Sequence, residues 1–450
     1  MTVDKPRADN QPAAPTVSTP ASRDVPPDGQ PALARYGRRM RRARLIYLAV
    51  VAAVVLAVAV TAGVVWFGGE AAHTHLRTVA IAPPSIPLRP PGTAPIQLWR
   101  SADHTAVGTP YWGGTVVTYS TDSVRGRNAR TGAITWSYTR TDRTVCEAIQ
   151  NQGSTVAIFE HNGNCDQVTA LDSATGQRRW TRTLDKAEQE SQPVDGHPAI
   201  SVTQFAVMVT TTRVIYALDP AGGLDRWVYQ PTGCTIQSGV IGTDGALISQ
   251  TCAKPNCSGR KFCGTGPQLL LRDASAGRDD KKTDNPDQIK WNRIGTSAVP
   301  TSADKVISAV EPAARQLEVF GAAKGDTISH LDLRGPLGSV QPVTAIPTDR
   351  AELIWITDTV YAVDVNGLAF LWTAPSTIAP TVTPPSGVPG GTAELGSSTI
   401  AAAAAAAITL LDARTGEPGQ TYRVATSAGG RAYPFGTGFV IAGAATAVFQ

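Results

Sequence analysis

The chain has 450 residues, 42% of them hydrophobic, with 42 Gly, 33 Pro and only 3 Met. That is enough apolar side chain for a real core, and too many turn formers for an architecture of long soluble helices. Of its 40 basic residues, six arginines stand together between Arg35 and Arg44; the rest of the chain is close to neutral, which argues against a nucleic-acid binder.

Residues 1–44 form an Arg-rich tail. Residues 1–34 are rich in Pro, Ala, Asp and Ser, cannot bury enough surface to fold, and are expected to be disordered. Thr16, Ser18, Thr19 and Ser22 offer phosphate acceptors on what is otherwise a solvated segment. Residues 45–67, LIYLAVVAAVVLAVAVTAGVVWF, carry no charge, and as a helix they extend about 34 Å, enough to cross a bilayer. Six arginines precede this run and Arg77 alone follows within twenty residues, so the tail is expected in the cytoplasm and everything beyond residue 67 outside. A 44-residue leader does not fit a cleaved signal peptide, and the first cysteine, Cys146, is too distant for a lipoprotein anchor. The expected localisation is the cell membrane, single-pass. Residues 68–95 contain IAPPSIPLRPPGTAP, a composition that favours polyproline geometry and predicts a semi-rigid extracytoplasmic linker. His73 and His75 lie just before that stretch without a third metal ligand.

From residue 96 to 450 the chain repeats itself. RNARTGAITW (127–136), LDSATGQRRW (171–180), LDPAGGLDRW (218–227), RDASAGR (272–278), FGAAKGD (320–326), VDVNGLAFLW (363–372) and LDARTGEPGQ (411–420) each follow a short β-branched run. Successive units start roughly 43 to 54 residues apart, the spacing of four short strands and their turns, so one unit is one propeller blade. Asp172, Asp219, Asp273, Asp364 and Asp412 end a strand, where a carboxylate accepts from the turn's own amides. Gly132, Gly176, Gly223, Gly277, Gly325 and Gly416 suit positive φ four residues later. Trp136, Trp180, Trp227 and Trp372 begin the next strand and offer a ring to bury against the neighbouring blade.

At these residues the chain resembles the pyrroloquinoline-quinone-like propeller repeats of the quinoprotein alcohol dehydrogenase superfamily, which also includes non-enzymatic propellers such as the outer-membrane assembly factor BamB. The pattern D-x-x-T-G-x-x-x-W is complete from Asp172 to Trp180 and degenerate elsewhere. The resemblance implies an all-β fold, an eight-bladed propeller or alternatively a seven-bladed one. The eighth blade would join the strand at Ile96–Arg100 to the C-terminal strands GTGFVIAG and ATAVFQ, hiding edges that would otherwise pair with other chains. AAAAAAAITLL (401–411) is read as a strand pair, because the repeat's position outweighs alanine's helix propensity. Richness in Ala, Arg and Pro fits a GC-rich genome, as in actinobacteria.

All six cysteines follow the apolar run, as an oxidising compartment requires. Cys146 and Cys165 flank two strands of one unit, and Cys234 and Cys252 flank the equivalent strands two units on, so each pairing supports the other. Cys257 and Cys263 remain to close a small loop. CAKPNCSGRKFC is no zinc knuckle, since it has neither C-x-x-C nor a nearby His.

A quinone-dependent dehydrogenase would need a calcium-bound cofactor and an acidic base. The adjacent cysteines and the C-x-x-C-H haem motif that the resemblance would supply are missing, as are G-x-S-x-G, H-E-x-x-H and P-loop motifs. No cofactor or metal is expected, and the placed carboxylates are turn residues. The favoured reading is a non-enzymatic binding or scaffold module for other cell-envelope or membrane proteins. The alternatives are the dehydrogenase and a ligand or glycan sensor. Two loops are candidates for specificity, Cys252–Pro267 with Arg260 and Lys261, and Pro375–Gly396, each against the plainer reading of a surface insertion.

Overall fold

A computed structural model describes residues 46–58, 60, 70–85, 95–151, 153–184, 199–256, 264–274, 289–333, 344–347, 351–376, 381–382, 399–404, 407–412, 415–423, 431–435, 438–442 and 445–450. They fall into two compact units, Met1–Ala72 and His73–Gln450. In the first, residues 46–58 are helical, with Ile46, Tyr47, Leu48 and Leu56 exposed. Among the described residues no helix is long and apolar enough to cross a membrane. Residues 45, 59 and 61–67 of the expected span, and the whole tail, lie outside the described residues.

Among the described residues the strands of the second unit fall into eight sheets of four main strands, seven of them chain-order meanders. Numbered by sequence, sheet 2 runs Thr144–Asn151, Ser154–His161, Asn164–Asp172 and Arg178–Thr183 from inner to outer. Its second strand pairs on both sides, Val156 with Ile149 and with Ala170. Such second and third strands are buried on both faces, as in Val207–Thr210 and Ile215–Leu218. This explains why they read as unbroken apolar runs instead of alternating ones. Thr399–Ala404 and Ala407–Asp412 pair as antiparallel strands, so the alanine run is indeed a strand pair.

The core lies between sheets. One cluster packs Val117 and Trp136 of sheet 1 on Phe159 and Leu171 of sheet 2. Another packs Val156 and Val168 on Val207 and Val209 of sheet 3. The same construction continues through Trp227 with Leu270, Trp291 with Phe320, Val319 with Ile354, Leu353 with Leu411, and Tyr422 with Phe439. The eighth cluster sets Val440 and Val448 of sheet 8 against Val116 of sheet 1, which closes a ring. Each fully buried Val, Leu, Ile or Phe in these seams contributes roughly 1.5–3 kcal/mol, so the seams carry most of the stabilisation.

Sheet 8 takes strands from both ends of the chain. Gln97–Ser101 pairs antiparallel with Thr446–Phe449, and Ile96 and Gln450 exchange backbone hydrogen bonds of 2.7 and 2.9 Å. The pairing expected for Ile96–Arg100 is therefore present.

Within the segment expected as a semi-rigid linker, residues 74–84 lie along sheet 1; residues 68–69 and 86–94 lie outside the described residues. Residues 70–73 make a turn of helix, and Thr74–Arg77 adds a strand to the outer edge of sheet 1, with Thr74 opposite Arg140 and Arg77 opposite Ser137. Val79 then donates to the Thr175 carbonyl at 3.0 Å. Pro83 and Pro84 lie with their carbonyls where a Cβ on Gly114 would come within 2.5 Å. Proline-rich backbone is extended, as its composition predicts, but extended backbone can lie along a surface as readily as leave it. His73 hydrogen-bonds Thr141 and His75 pairs with Thr139, so both histidines belong to this edge.

Candidate interaction face

In a four-stranded meander the first and third turns lie at one end and the second at the other. The repeated Asp and Gly residues occupy third turns, so they share an end with the first turns of every sheet.

Asp172 shows how the turn is held. Its Oδ1 accepts from the Ala174 and Thr175 amides at 3.1 and 3.0 Å and from the Thr175 hydroxyl at 2.9 Å, while Oδ2 accepts from Arg179 at 2.9 Å. Burial pushes this carboxyl up, but Arg179 and Thr175 outweigh it and hold it below the usual carboxylate range. Asp219, Asp364 and Asp412 accept from the amides of Ala221, Asn366 and Thr415 in the same way. These four repeated carboxylates are each committed to their own turn.

Tryptophan and glycine meet across the seams. A Cβ on Gly176 would lie 2.5 Å from the Trp136 ring, and Gly176 has φ +74°. Gly223 receives Trp180 and Gly416 receives Trp372 in the same manner. The indole N–H then donates to the residue after the turn's first member: Trp136 to Ser173 at 3.0 Å, Trp180 to Pro220 at 2.8 Å, Trp227 to Ala274 at 3.4 Å. Trp227 also lies under the Arg272 guanidinium, 4.7 Å from the ring centre.

Two further members of this series were not apparent in the sequence. Trp99 docks on Gly132 and donates to Ala129, and Trp291 docks on Gly325. Trp291 is hidden by the insertion of residues 275–288 between turn and strand, and Trp99 by its place in the sheet that both chain ends share. A tryptophan two or three residues into any strand was the available signal.

Cys146–Cys165 ties the first strand of sheet 2 to the third, and Cys234–Cys252 joins directly opposed residues of the first two strands of sheet 4. Cys257 and Cys263 lie outside the described residues, as do most of the two candidate specificity loops, including Arg260 and Lys261. Among the described residues one group has metal-ligand spacing, Cys146, Glu160 and Cys165. Its sulfurs are joined in a disulfide, and a metal ligand needs the thiolate.

The turn end carries exposed apolar side chains on sheets 1 and 3. Trp112 of sheet 1 rests on Gly153 of sheet 2 and is still 42% exposed; Phe205 and Leu224 of sheet 3 are 38% and 50% exposed. Farther round, the first turns of sheets 4 and 5 carry Asp244 and Asp304, with Glu352 buried beside them on sheet 6. Toward the opposite end several charges on sheets 1 and 2 pair with one another. Arg140 and Arg143 meet Asp142 and Asp166, and Asp103 binds Arg125 at 3.0 Å and Arg127 at 2.7 Å. Burial raises the Asp103 carboxyl, but the two arginines bring it below the usual range.

Antiparallel sheets joined seam to seam in a closed ring, with tryptophan docking on the turn glycine at five described seams, define an all-β protein of the propeller-like, quinone-repeat class. The chain belongs to the family described as "Outer membrane protein assembly factor BamB", which matches residues 96–373. Among solved structures it is similar to the computationally designed Ika8 protein (11% identity, 80% of this chain and 99% of that one, TM-score 0.52). It is also similar to BamB from Moraxella catarrhalis (17% identity, 79% and 100%, TM-score 0.44). A third similar structure is quinohemoprotein alcohol dehydrogenase from Comamonas testosteroni (12% identity, 79% and 76%, TM-score 0.48). None of the curated proteins compared with it matches its sequence.

Proposed function

We propose that this protein is a membrane-anchored scaffold: an eight-bladed propeller outside the membrane that binds other envelope or membrane proteins through its turn face, without chemistry of its own. The observation that carries this reading is the set of exposed side chains at the turn end, Trp112 on sheet 1 and Phe205 and Leu224 on sheet 3, in a domain where Asp172, Asp219, Asp364 and Asp412 serve their own turns. Large exposed aromatic side chains on a rigid frame are what partner surfaces use as anchors. Membership in the assembly-factor family supports partners in the cell envelope. The apolar run 45–67, with arginines on one flank, supports an anchor that raises the effective concentration of the domain toward membrane neighbours.

Photo-cross-linking residues placed at 112 and 205 in intact cells test the reading, with Asn162 at the opposite end as reference. Envelope or membrane proteins should be captured from 112 and 205 and not from 162. Equal capture from all three positions, or none, would remove the turn face as the binding surface. A phosphatase that works only after export, fused at Gln450, should be active; a silent fusion would overturn the topology.

A further inference from the structure

Glu352 lies in Ala351–Ile356, the second strand of sheet 6, and is fully buried. A carboxyl group so placed has no water to solvate its charge and stays only as the neutral acid or with a full set of donors. Its donors come from the neighbouring sheet. The Ser302 hydroxyl meets Oε1, and the Val306 amide donates to Oε2 at 3.1 Å. Ser302 belongs to the inner strand of sheet 5, Val299–Ala303, and Val306 directly precedes the second, Ile307–Glu311. One side chain thus grips both ends of the turn between them.

That turn is held from its other side as well. The Thr243 amide of sheet 4 donates to the Asp304 carboxylate at 2.8 Å, and the Asp244 amide donates to the Ala303 carbonyl at 3.1 Å. The contact is tight: a Cβ on Gly242 would lie 2.3 Å from the Ala303 carbonyl oxygen. First turns therefore interlock from sheet 4 to sheet 5 to sheet 6, and the interlock gathers Asp244, Asp304 and Glu352. Lys290 is one cation here, its Nζ donating to the Asp244 carbonyl at 2.6 Å, and Lys305 stands in the gripped turn beside Asp304. Asp349 and Arg350, just before the strand, lie outside the described residues.

Two donors do not offset this surrounding. Burial is the largest influence on Glu352 and raises its proton affinity; the Ser302 hydroxyl opposes it, Asp304 adds to it, the Val306 amide opposes, Asp244 adds, and the carboxyl is pushed up to about 8. Asp244 is raised too, first by its own burial, with Lys290 opposing and Asp304 adding.

We propose that Glu352 is a proton-operated pin between sheets 5 and 6, one that tightens the seam as its surroundings acidify. As the neutral acid it keeps its contacts with Ser302 and Val306 free of repulsion from Asp304 and Asp244. When the seam opens, water reaches the carboxyl and it titrates as an ordinary glutamate. Between that ordinary range and about pH 8 the open form sheds a proton that the closed form keeps. The closed seam therefore gains up to about tenfold over the open one for each pH unit of acidification, and the effect ends above pH 8, where both forms are ionised.

Hydrogen exchange of the full-length protein between pH 5 and 9, corrected for the intrinsic pH dependence of exchange, reads the opening directly in peptides covering 299–307 and 351–356. Protection in the wild type should fall by up to about tenfold per pH unit and level off near pH 8, while Glu352→Gln, neutral at every pH, should show a flat profile. Parallel profiles in the two proteins would overturn the proposal. Should Glu352→Gln fail to fold, Asp304→Asn keeps the acceptor for Thr243 and removes one facing charge, so the levelling-off should move to lower pH. An unmoved profile in that variant would overturn the proposal equally.

Discussion

The Ser329 hydroxyl donates to the Leu368 carbonyl at 2.5 Å, at the seam where sheet 5 meets the third turn of sheet 6. Ser329 stands at the position where other sheets carry tryptophan, and Leu368 where their partners carry glycine. Leu368 even keeps the glycine backbone, with φ +52°. At Gly132, Gly176, Gly223, Gly325 and Gly416 a large ring faces a residue without Cβ; here a small side chain faces a leucine that packs into the core between sheets 5 and 6. The two positions vary together because they fill one space.

Swapping that pair tests the relationship. Ser329→Trp alone should overfill the seam and cost about 1–3 kcal/mol. Leu368→Gly relieves a left-handed leucine but removes packing, and should come out within about 2 kcal/mol of the parent. The double variant should recover most of the loss, with a coupling of about 1–2 kcal/mol in denaturant unfolding. Strict additivity would mean that the two residues do not share a space.

Gly176→Ala should be among the costly glycine substitutions. It forces a left-handed alanine and drives a methyl group into the Trp136 ring, at an expected total of about 2–4 kcal/mol. Gly163→Ala is the reference, because Gly163 has φ +81° with nothing within 4 Å. Unfolding should show the backbone cost alone there, about 1–2 kcal/mol. Equal losses would exclude the tryptophan contact as the reason for Gly176.

The segment after His73 is held at Gly114, and the same reference applies. Gly114→Ala should dislodge Pro83 and Pro84 and speed tryptic cleavage after Arg77, read by mass spectrometry, while Gly163→Ala leaves that rate unchanged. Unaltered cleavage in both would show that the edge strand Thr74–Arg77 stays in place without the proline contacts.

Each disulfide closes a short loop, with sequence separations of 19 and 18 residues. Replacing Cys146 and Cys165 together by serine should lower the unfolding free energy by about 3 kcal/mol in the chain-entropy account, and the Cys234 and Cys252 pair by a similar amount. Peptide mapping without reductant checks the pairing itself; free thiols at these four positions would contradict it.

Asp103 links the stability of sheet 1 to acid. Its carboxyl is depressed, so its contribution is present above the ordinary carboxylate range and is lost as pH falls through the folded value, below 3.8. Asp103→Asn should cost about 2 kcal/mol at neutral pH, discounted for the part-exposed arginines. The gap between parent and variant should close as the pH drops below about 4. A gap that stays constant with pH would assign the loss to hydrogen bonding instead of charge.

The sequence showed the unit length, the turns and two cysteine pairs, because each is a local pattern of a few residues. What it hid depended on neighbours. Glu352 stands in AELIWITDTVYAV as a polar residue at the start of a strand, and only the packing of sheet 5 against it makes it buried. Nothing in the local sequence distinguishes Trp112 and Phe205 from buried aromatics; their exposure follows from where the turns of sheets 1 and 3 lie. For the segment after residue 67, composition bears on backbone geometry and leaves open the surface it rests on, such as the edge of sheet 1 that Thr74–Arg77 extends. Trp291 was lost to an insertion that broke the spacing between turn and ring.

Because residues 446–449 complete the sheet that Gln97–Ser101 begins, synthesis order matters to this domain. The first strand of that sheet emerges some 350 residues before its partner, and loop closure over such a distance is slow. Until the last turn has left the ribosome and any export channel, the faces of Tyr422 and Val116 that the final strands cover stay open to water and to other chains. A nascent domain of this kind needs protection late, when most of its sheets are already made. A stop codon a few residues early should therefore yield a nearly complete but adhesive molecule, more prone to degradation than a much shorter fragment that never builds the ring.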